Sequence, residues 1–236
     1  MDSARPDDGL DNPVWASLTG THAHLALGAG AGRAYPVDVS PFSGLLDQSS
    51  PQAWADLADV AGPGAELVVP ALAVTPPPGF TVSWRLPGVQ LVAGRELRAS
   101  VAAEPVPPAV VELTEADVAD MLDLTARTKP GPFAARTRAL GRYLGLREGG
   151  RLVAMAGERL RPPGATEISA VCTDPSVRGR GFATVLVRAV AAGVLARGES
   201  PFLHAAAENT SAIRLYRAMG FELRREIDFA GVLAPR

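Results

Sequence analysis

The sequence predicts an α/β protein: a mixed sheet with flanking helices over residues 106–236, preceded by a smaller α/β domain over residues 1–105. Three observations predict it. From residue 109 onward, short apolar runs alternate with segments of helical apolar spacing, the pattern of a sheet covered by helices. "RYLGLRE-GG-RLVAMAGERL" is two such runs joined by Gly149-Gly150, a hairpin signal. "AAEPVPPA" at 102–109 is rich in proline and reads as an extended linker between the two parts.

The elements follow in order. In the first part, "AHLALGAG" (23–30) and "AELVVPALAV" (65–74) read as strands. "SPQAWADLADVAG" reads as a helix, with Ser50 as N-cap, Pro51 at the first helical position, and Trp54, Leu57, Ala58 and Ala61 on one face. "PPP" at 76–78 marks a loop, and "FTVSWRLPGVQLVAG" (80–94) reads as a hairpin. After the linker, "AVVEL" is a strand. "TEADVADMLDLTART" is a helix capped by Thr114, with Glu115 and Asp117 set against its dipole. "KPGPFAARTRALG" is a loop that becomes a short helix. The Gly-Gly hairpin follows, then an "RPPG" turn and the strand "TEISAVCT". "GFATVLVRAVAAGVLARG" is a helix with Phe182, Val185, Leu186, Ala189 and Gly193 on one face. "PFLHAAAE" is a strand, "NTSAIRLYRAMGF" a helix opened by Asn209 or a neighbour and closed by Gly220, and "ELRREIDFAGVL" a last strand.

Composition narrows the function. The net charge of −2 gives no whole-chain reason to bind nucleic acid. The charge is uneven, however: residues 1–109 carry −6 and residues 110–236 carry +4, so a polyanionic ligand is favoured by the second part. Basic residues are not interleaved with aromatic stacking pairs, which disfavours RNA. Cys172 is the only cysteine, so no intrachain disulfide forms. Three scattered histidines and one cysteine make no metal pattern. The first residues lack the plan of a signal peptide, and no apolar run is long enough for a bilayer. The expectation is a soluble cytoplasmic protein, monomer or homodimer, without metal or membrane partner.

"VCTDPSVRGRGFA" carries the chemistry. A strand, a glycine-flanked turn and a helix form an anion site by geometry, because the first N–H groups of a helix lack internal partners. Gly179 and Gly181 let phosphates approach the main chain, and Arg178 and Arg180 add charge. The plainer alternative is a turn with solvated arginines.

Arg178-Gly179-Arg180-Gly181-Phe182-Ala183 resembles the R/Q-x-x-G-x-G/A signature of the GNAT superfamily of N-acetyltransferases. About thirty residues on, Asn209, Ala212, Tyr216, Gly220 and Phe221 fill the positions of its N-x-x-A-x-x-x-Y-x-x-x-G-F mark. "EISAVCTDPSVRGRG" resembles most the branch that includes glycine N-acyltransferases. The resemblance covers roughly 110–230 and implies a mostly antiparallel sheet, with residues 1–105 a candidate degenerate copy. It implies that backbone at Val171, Cys172 and Thr173 binds the pantetheine arm of acetyl-CoA, or of another acyl-CoA, as an added strand. Amides from Arg178 to Ala183 would hold the pyrophosphate, Asn209 and Ala212 would line the channel, and Tyr216 would lie beside the sulfur.

The implied reaction moves an acetyl or short acyl group directly to a primary amine, on a small molecule or a peptide. Tyr216 is the candidate acid for the departing thiolate; a satisfied core tyrosine is the alternative. Glu167 is the candidate base, with Glu158 and Glu208 behind it, and a solvated carboxylate is the alternative. His204 reads as a satisfied strand histidine, with a place facing the site as the alternative, and Cys172 as a buried structural cysteine. By the resemblance, "TARTKPGPFAARTR" (125–138) shapes the acceptor pocket, where Arg127, Arg136 and Arg138 point to a carboxylate-bearing acceptor or to plain surface. Trp15, Trp54 and Trp84 are core, or a wall of that pocket. The competing function is a non-catalytic acyl-CoA sensor.

Overall fold

An eight-stranded sheet takes strands from both parts of the chain. The structure, a computed structural model, describes residues 9–103 and 105–236. In chain order these form α1 (Pro13–Thr19), β1 (Gly32–Ala34), β2 (Ser43–Leu45), α2 (Pro51–Ala61), β3 (Glu66–Ala71), β4 (Thr81–Ala93) and α3 (Arg95–Ala103). There follow β5 (Val111–Leu113), α4 (Val118–Thr128), β6 (Tyr143–Glu148), β7 (Arg151–Glu158) and β8 (Ala165–Thr173). Last come α5 (Phe182–Ala196), β9 (Ser200–Ala206), α6 (Thr210–Ala218) and β10 (Phe221–Leu233).

The strand order is β3-β10-β4-β9-β8-β7-β6-β5. Every neighbouring pair is antiparallel except β8 with β9. This is the mixed, mostly antiparallel sheet that was expected. The expected boundary at 105 does not separate two sheets, however. β4 lies between β9 and β10, and β3 lies beyond β10. The physical reason is strand satisfaction. β10 runs for 13 residues, and both of its edges find their partners in β3 and β4 rather than within 106–236.

Two other readings change. Within 80–94 the chain forms a single strand of 13 residues, Thr81–Ala93, not a hairpin. Pro87 sits where that strand changes partners: residues 81–87 pair with β10, and residues 88–92 pair with both β10 and β9. Proline has no N–H to lose at such a point, and its carbonyl accepts the Ala207 N–H at 2.8 Å. Residues 23–30 form a 3₁₀ turn at Ala23–Leu25 and a lone bridge, Leu27↔Ala34, instead of a strand. Gly28, at φ 86°, turns the chain there.

Helices cover both faces of the sheet. Leu186, Val187, Val190 and Val194 of α5 pack on Leu146, Ala154, Ala156 and Leu203. Met121 and Leu124 of α4 pack on the opposite face with Tyr143, Met155 and Cys172. In the first part, Trp54 and Leu57 of α2 pack on Val69 and Val232, as the Ser50 cap and apolar face foretell; the Ser50 hydroxyl accepts the Ala53 N–H. Each such large side chain contributes about 1.5–3 kcal/mol by leaving water.

Candidate active site

Parallel pairing of β8 with β9 stops at Glu167↔Phe202. Beyond that point β8 pairs only with β7, and β9 only with β4. A cavity of about 790 Å³ fills the gap. Ile168–Val171, His204–Ala206, and Asn209, Ala212 and Tyr216 line it from three elements. β8 is also bulged there. Met155↔Cys172 is followed by Gly157↔Ser169, and Ala170 takes φ 52°. A left-handed alanine is strained by roughly 1–2 kcal/mol. It leaves Ala170 and Val171 out of the β7 ladder, on the edge that faces the cavity.

The strand then runs through Thr173 into the glycine turn. The Asp174 carboxylate accepts the Ser176 N–H at 3.0 Å and its hydroxyl at 2.7 Å, which sets the turn. Val177 is buried and anchors it. Gly179 and Gly181 take φ 78° and 79°, and a Cβ at either would meet nothing within 4 Å. Conformation, then, not crowding, demands glycine at both. Gly181 is the N-cap of the 15-residue α5 and offers no side chain to cap its first amides. The turn itself, from Arg178 to Gly181, is exposed. Arg178 Nε donates to the Thr173 carbonyl at 3.3 Å, while Arg180 pairs with Glu148 at 2.7 Å and lies 4.7 Å over the Phe182 ring.

Comparison with known proteins decides the family. A family model described as FR47-like protein matches residues 143–230. The chain is 35% identical over 131 residues to N-alpha-acetyltransferase RimI of Mycobacterium tuberculosis, covering 51% of this chain and 82% of the relative. The chain belongs to the GNAT family of N-acetyltransferases. A solved GNAT-family structure from Novosphingobium aromaticivorans is 41% identical, with TM-score 0.83, covering 98% of this chain and all of that one. The uncharacterized protein ML0378 of Mycobacterium leprae is 32% identical over 207 residues, 82% of this chain and 56% of its own length. A GCN5-related N-acetyltransferase from Kribbella flavida, 16% identical with TM-score 0.62, shares the fold. The comparisons reach GNAT and do not extend to the glycine N-acyltransferase branch. The protein is an acyltransferase of the acetyl-CoA-using family.

In this GNAT protein Tyr216 lines the cavity at 8% exposure. Its ring meets Phe221 edge-on at 6.0 Å. Burial, with the nearby Cys172, pushes the phenol up to about 12, so it stays protonated. Among the described residues nothing holds its hydroxyl.

Glu167 is not placed as a base. It is wholly buried behind the cavity wall, where Arg159 grips both carboxylate oxygens at 2.9 and 2.6 Å. The Leu160 N–H and His204 Nδ1 bind it as well. Burial opposes its ionisation, but the Arg159 charge and hydrogen bonds, joined by His204, outweigh that and hold the carboxyl far below its usual range. A carboxylate so satisfied is a poor proton acceptor. His204 donates from Nδ1 to Glu167 at 2.8 Å and accepts at Nε2 from the Gln90 amide at 3.1 Å, so both of its nitrogens are engaged. Glu158 is buried on Arg197 at 2.9 Å. Glu208 lines the cavity at its exposed rim.

Of the remaining expected residues, Val171, Asn209 and Ala212 line the cavity. Asn209 spends its side-chain oxygen on the Ala212 N–H, at 3.2 Å, to cap α6. The Cys172 side chain packs into the core on the other face, where burial pushes its thiol up. Thr173 lies outside the cavity lining, while Ser169 and Ala170, not anticipated, belong to it. Arg127 pairs with Asp123 and Asp174, Arg136 with Asp38, and Arg138 with Glu115. None of these arginines lines the cavity, whereas Lys129 and Arg159 do. Trp54 is core and Trp84 is a cavity wall. Phe42, Val68 and Leu86 join Trp84 there. No motif marks these residues; the pairings of β10 with β3 and β4, and the Phe42–Val68 bridge, bring them to the site.

Among the described residues no cluster of His, Cys, Asp and Glu is arranged to hold a metal ion. No helix among them is long and apolar enough to cross a membrane.

Proposed function

We propose that this protein acetylates a primary amine by direct attack on the thioester of acetyl-CoA, with no covalent enzyme intermediate. One observation carries the reading: the unpaired edge of β8 and the unpartnered Tyr216 hydroxyl meet in one cavity. The residues fit the cosubstrate. The exposed glycine turn and the uncapped start of α5 suit a pyrophosphate, with Arg178 and Arg180 in the turn. The free edge at Ala170–Thr173 suits an extended amide-bearing arm.

Acetyl-CoA supplies the activated acyl group. The main chain near Val171 and Cys172 orients the carbonyl and offers N–H groups to its oxygen. As the nitrogen–carbon bond forms and the carbon–sulfur bond breaks, Tyr216 gives its hydroxyl proton to the departing sulfur. With the Tyr216 phenol at about 12 against roughly 8.5 for a thiol, the proton moves only as the sulfur takes on negative charge, in step with carbon–sulfur cleavage. With Glu167 locked to Arg159, the amine enters as its neutral free base; the proton it sheds after attack leaves through the open rim, and Tyr216 regains one from solvent, so the enzyme ends as it began.

The test is thiol release from acetyl-CoA across an amine panel, with Tyr216→Phe beside the parent. Turnover that slows in Tyr216→Phe while calorimetry shows unchanged acetyl-CoA uptake supports the enzyme. Uptake with no turnover on any amine supports the sensor reading instead.

A further inference from the structure

The acceptor end of the cavity is a paved sheet surface. β3, β10, β4 and β9 lie side by side, and cross-strand partners share a face. Phe229 pairs with Leu86, and Gly231 pairs with both Trp84 and Val68. All but Gly231 line the cavity. Two glycines make room for the rings. A Cβ at Gly231 would come within 2.1 Å of the Trp84 Nε1, and one at Gly88 within 2.8 Å of the Phe229 ring. The Trp84 indole therefore lies down over Gly231, and the Phe229 ring lies across Gly88. Phe229 also stacks on Phe42 at 6.0 Å. Trp84 remains 38% exposed and lines the cavity, a large aromatic surface available to a ligand.

Charge points the same way. The charged side chains lining the cavity are Lys129, Arg159 and Glu208. Arg159 is neutralised by Glu167 and covers the Phe42 ring at 4.7 Å. Glu208 is the one carboxylate lining the cavity among the described residues. A polyamine or aminoglycoside brings several ammonium groups and needs several carboxylates to replace their water. A single amine on an apolar body needs only the aromatic floor.

Resting on the acyl-transfer reading above, we propose that the acceptor is a monoamine with an aromatic or bulky apolar group. That group lies on the Trp84–Leu86–Phe229 floor and leaves the amine at the β8 edge. The same chemistry is offered by an arylalkylamine and by a peptide whose first residue is aromatic.

Initial rates at saturating acetyl-CoA, on 2-phenylethylamine, a phenylalanine-initiated tetrapeptide, ethylamine, spermidine and kanamycin, test it. The expected result is that kcat/KM for the phenyl amine or the peptide exceeds that for ethylamine and spermidine by about tenfold or more. Whichever of the two leads identifies the source. Trp84→Ala and Gly231→Ala then lower the ratio of aromatic to ethylamine turnover, Trp84→Ala by about tenfold through KM. Trp84→Phe retains most of the ratio. Thermal unfolding and acetyl-CoA calorimetry on each variant separate lost folding from lost selectivity. Preference for spermidine or kanamycin, or a ratio unmoved by Trp84→Ala, overturns the proposal while acyl transfer stands. Failure to take up acetyl-CoA, or to acetylate any amine, overturns both.

Discussion

Tyr216 and Glu167 are both buried acids, and their neighbours give them opposite fates. Tyr216 has no charged partner, so burial keeps its proton on, with the phenol at about 12. Replacing it by phenylalanine removes the donor; kcat is expected to fall by about 10²-fold, with acetyl-CoA affinity unchanged by calorimetry. Since Tyr216 does not titrate below its raised value, kcat/KM should climb from pH 6 to pH 9 as the free amine fraction grows, with no falling limb. A descending limb near pH 8 would refute that assignment. Glu167, gripped by Arg159, is a structural charge. Glu167→Gln leaves Arg159 buried without its counter-charge, and loss of about 3–5 kcal/mol in unfolding free energy is expected. The sign of the pH effect follows from its depressed folded value. The contribution is full above the unfolded carboxylate range, about 4.3, and drains away as pH falls below it.

Among the elements, the strand–turn–helix from β8 to α5 is the most legible in sequence, because its constraint is local. Gly179 and Gly181 are there for their left-handed backbone, and such glycines are visible without knowing what surrounds them. Gly181→Val forces a branched side chain into that region, at a cost of about 1–2 kcal/mol. It should raise the acetyl-CoA dissociation constant about tenfold, read by calorimetry. The Gly149-Gly150 hairpin and the Ser50 and Asn209 caps are legible for the same reason. Phe229 and Arg159 were not legible as site residues, and Trp84 was legible only as core or as a pocket wall, because their roles depend on pairings made far along the chain. The single strand over 81–93 was hidden by Pro87-Gly88, which read as a turn until a third strand was there to take the second half. Glu167 misled for a related reason: its partner Arg159 is close in sequence, but only the β7–β8 pairing makes the two face each other.

Across the whole molecule the two parts of the chain are interleaved. His22 is buried where they meet, accepting from the Tyr35 hydroxyl at 2.8 Å and donating to the Leu140 carbonyl at 3.0 Å. Burial lowers it from 6.5 to about 4. The unfolded chain therefore binds the proton first. Unfolding free energy should drop as pH falls from about 6.5 to about 4, and His22→Gln should flatten that profile in urea titrations at fixed pH steps. A fragment of residues 106–236 lacks the strand that belongs between β9 and β10. It should show no cooperative thermal transition by circular dichroism, and recover one when residues 9–103 are added.

That interleaving also governs how the protein comes into being. Arg85 of β4 and Asp228 of β10, which meet in the sheet, lie 143 positions apart. On the ribosome β3 and β4 emerge early, apolar and with bare edges, and their shared neighbour arrives only when translation has passed residue 221. Closure of the sheet thus waits for nearly the whole polypeptide, which slows folding and exposes sticky edges in the interval. A cell making this protein quickly would need chaperones to shield the nascent chain over that wait.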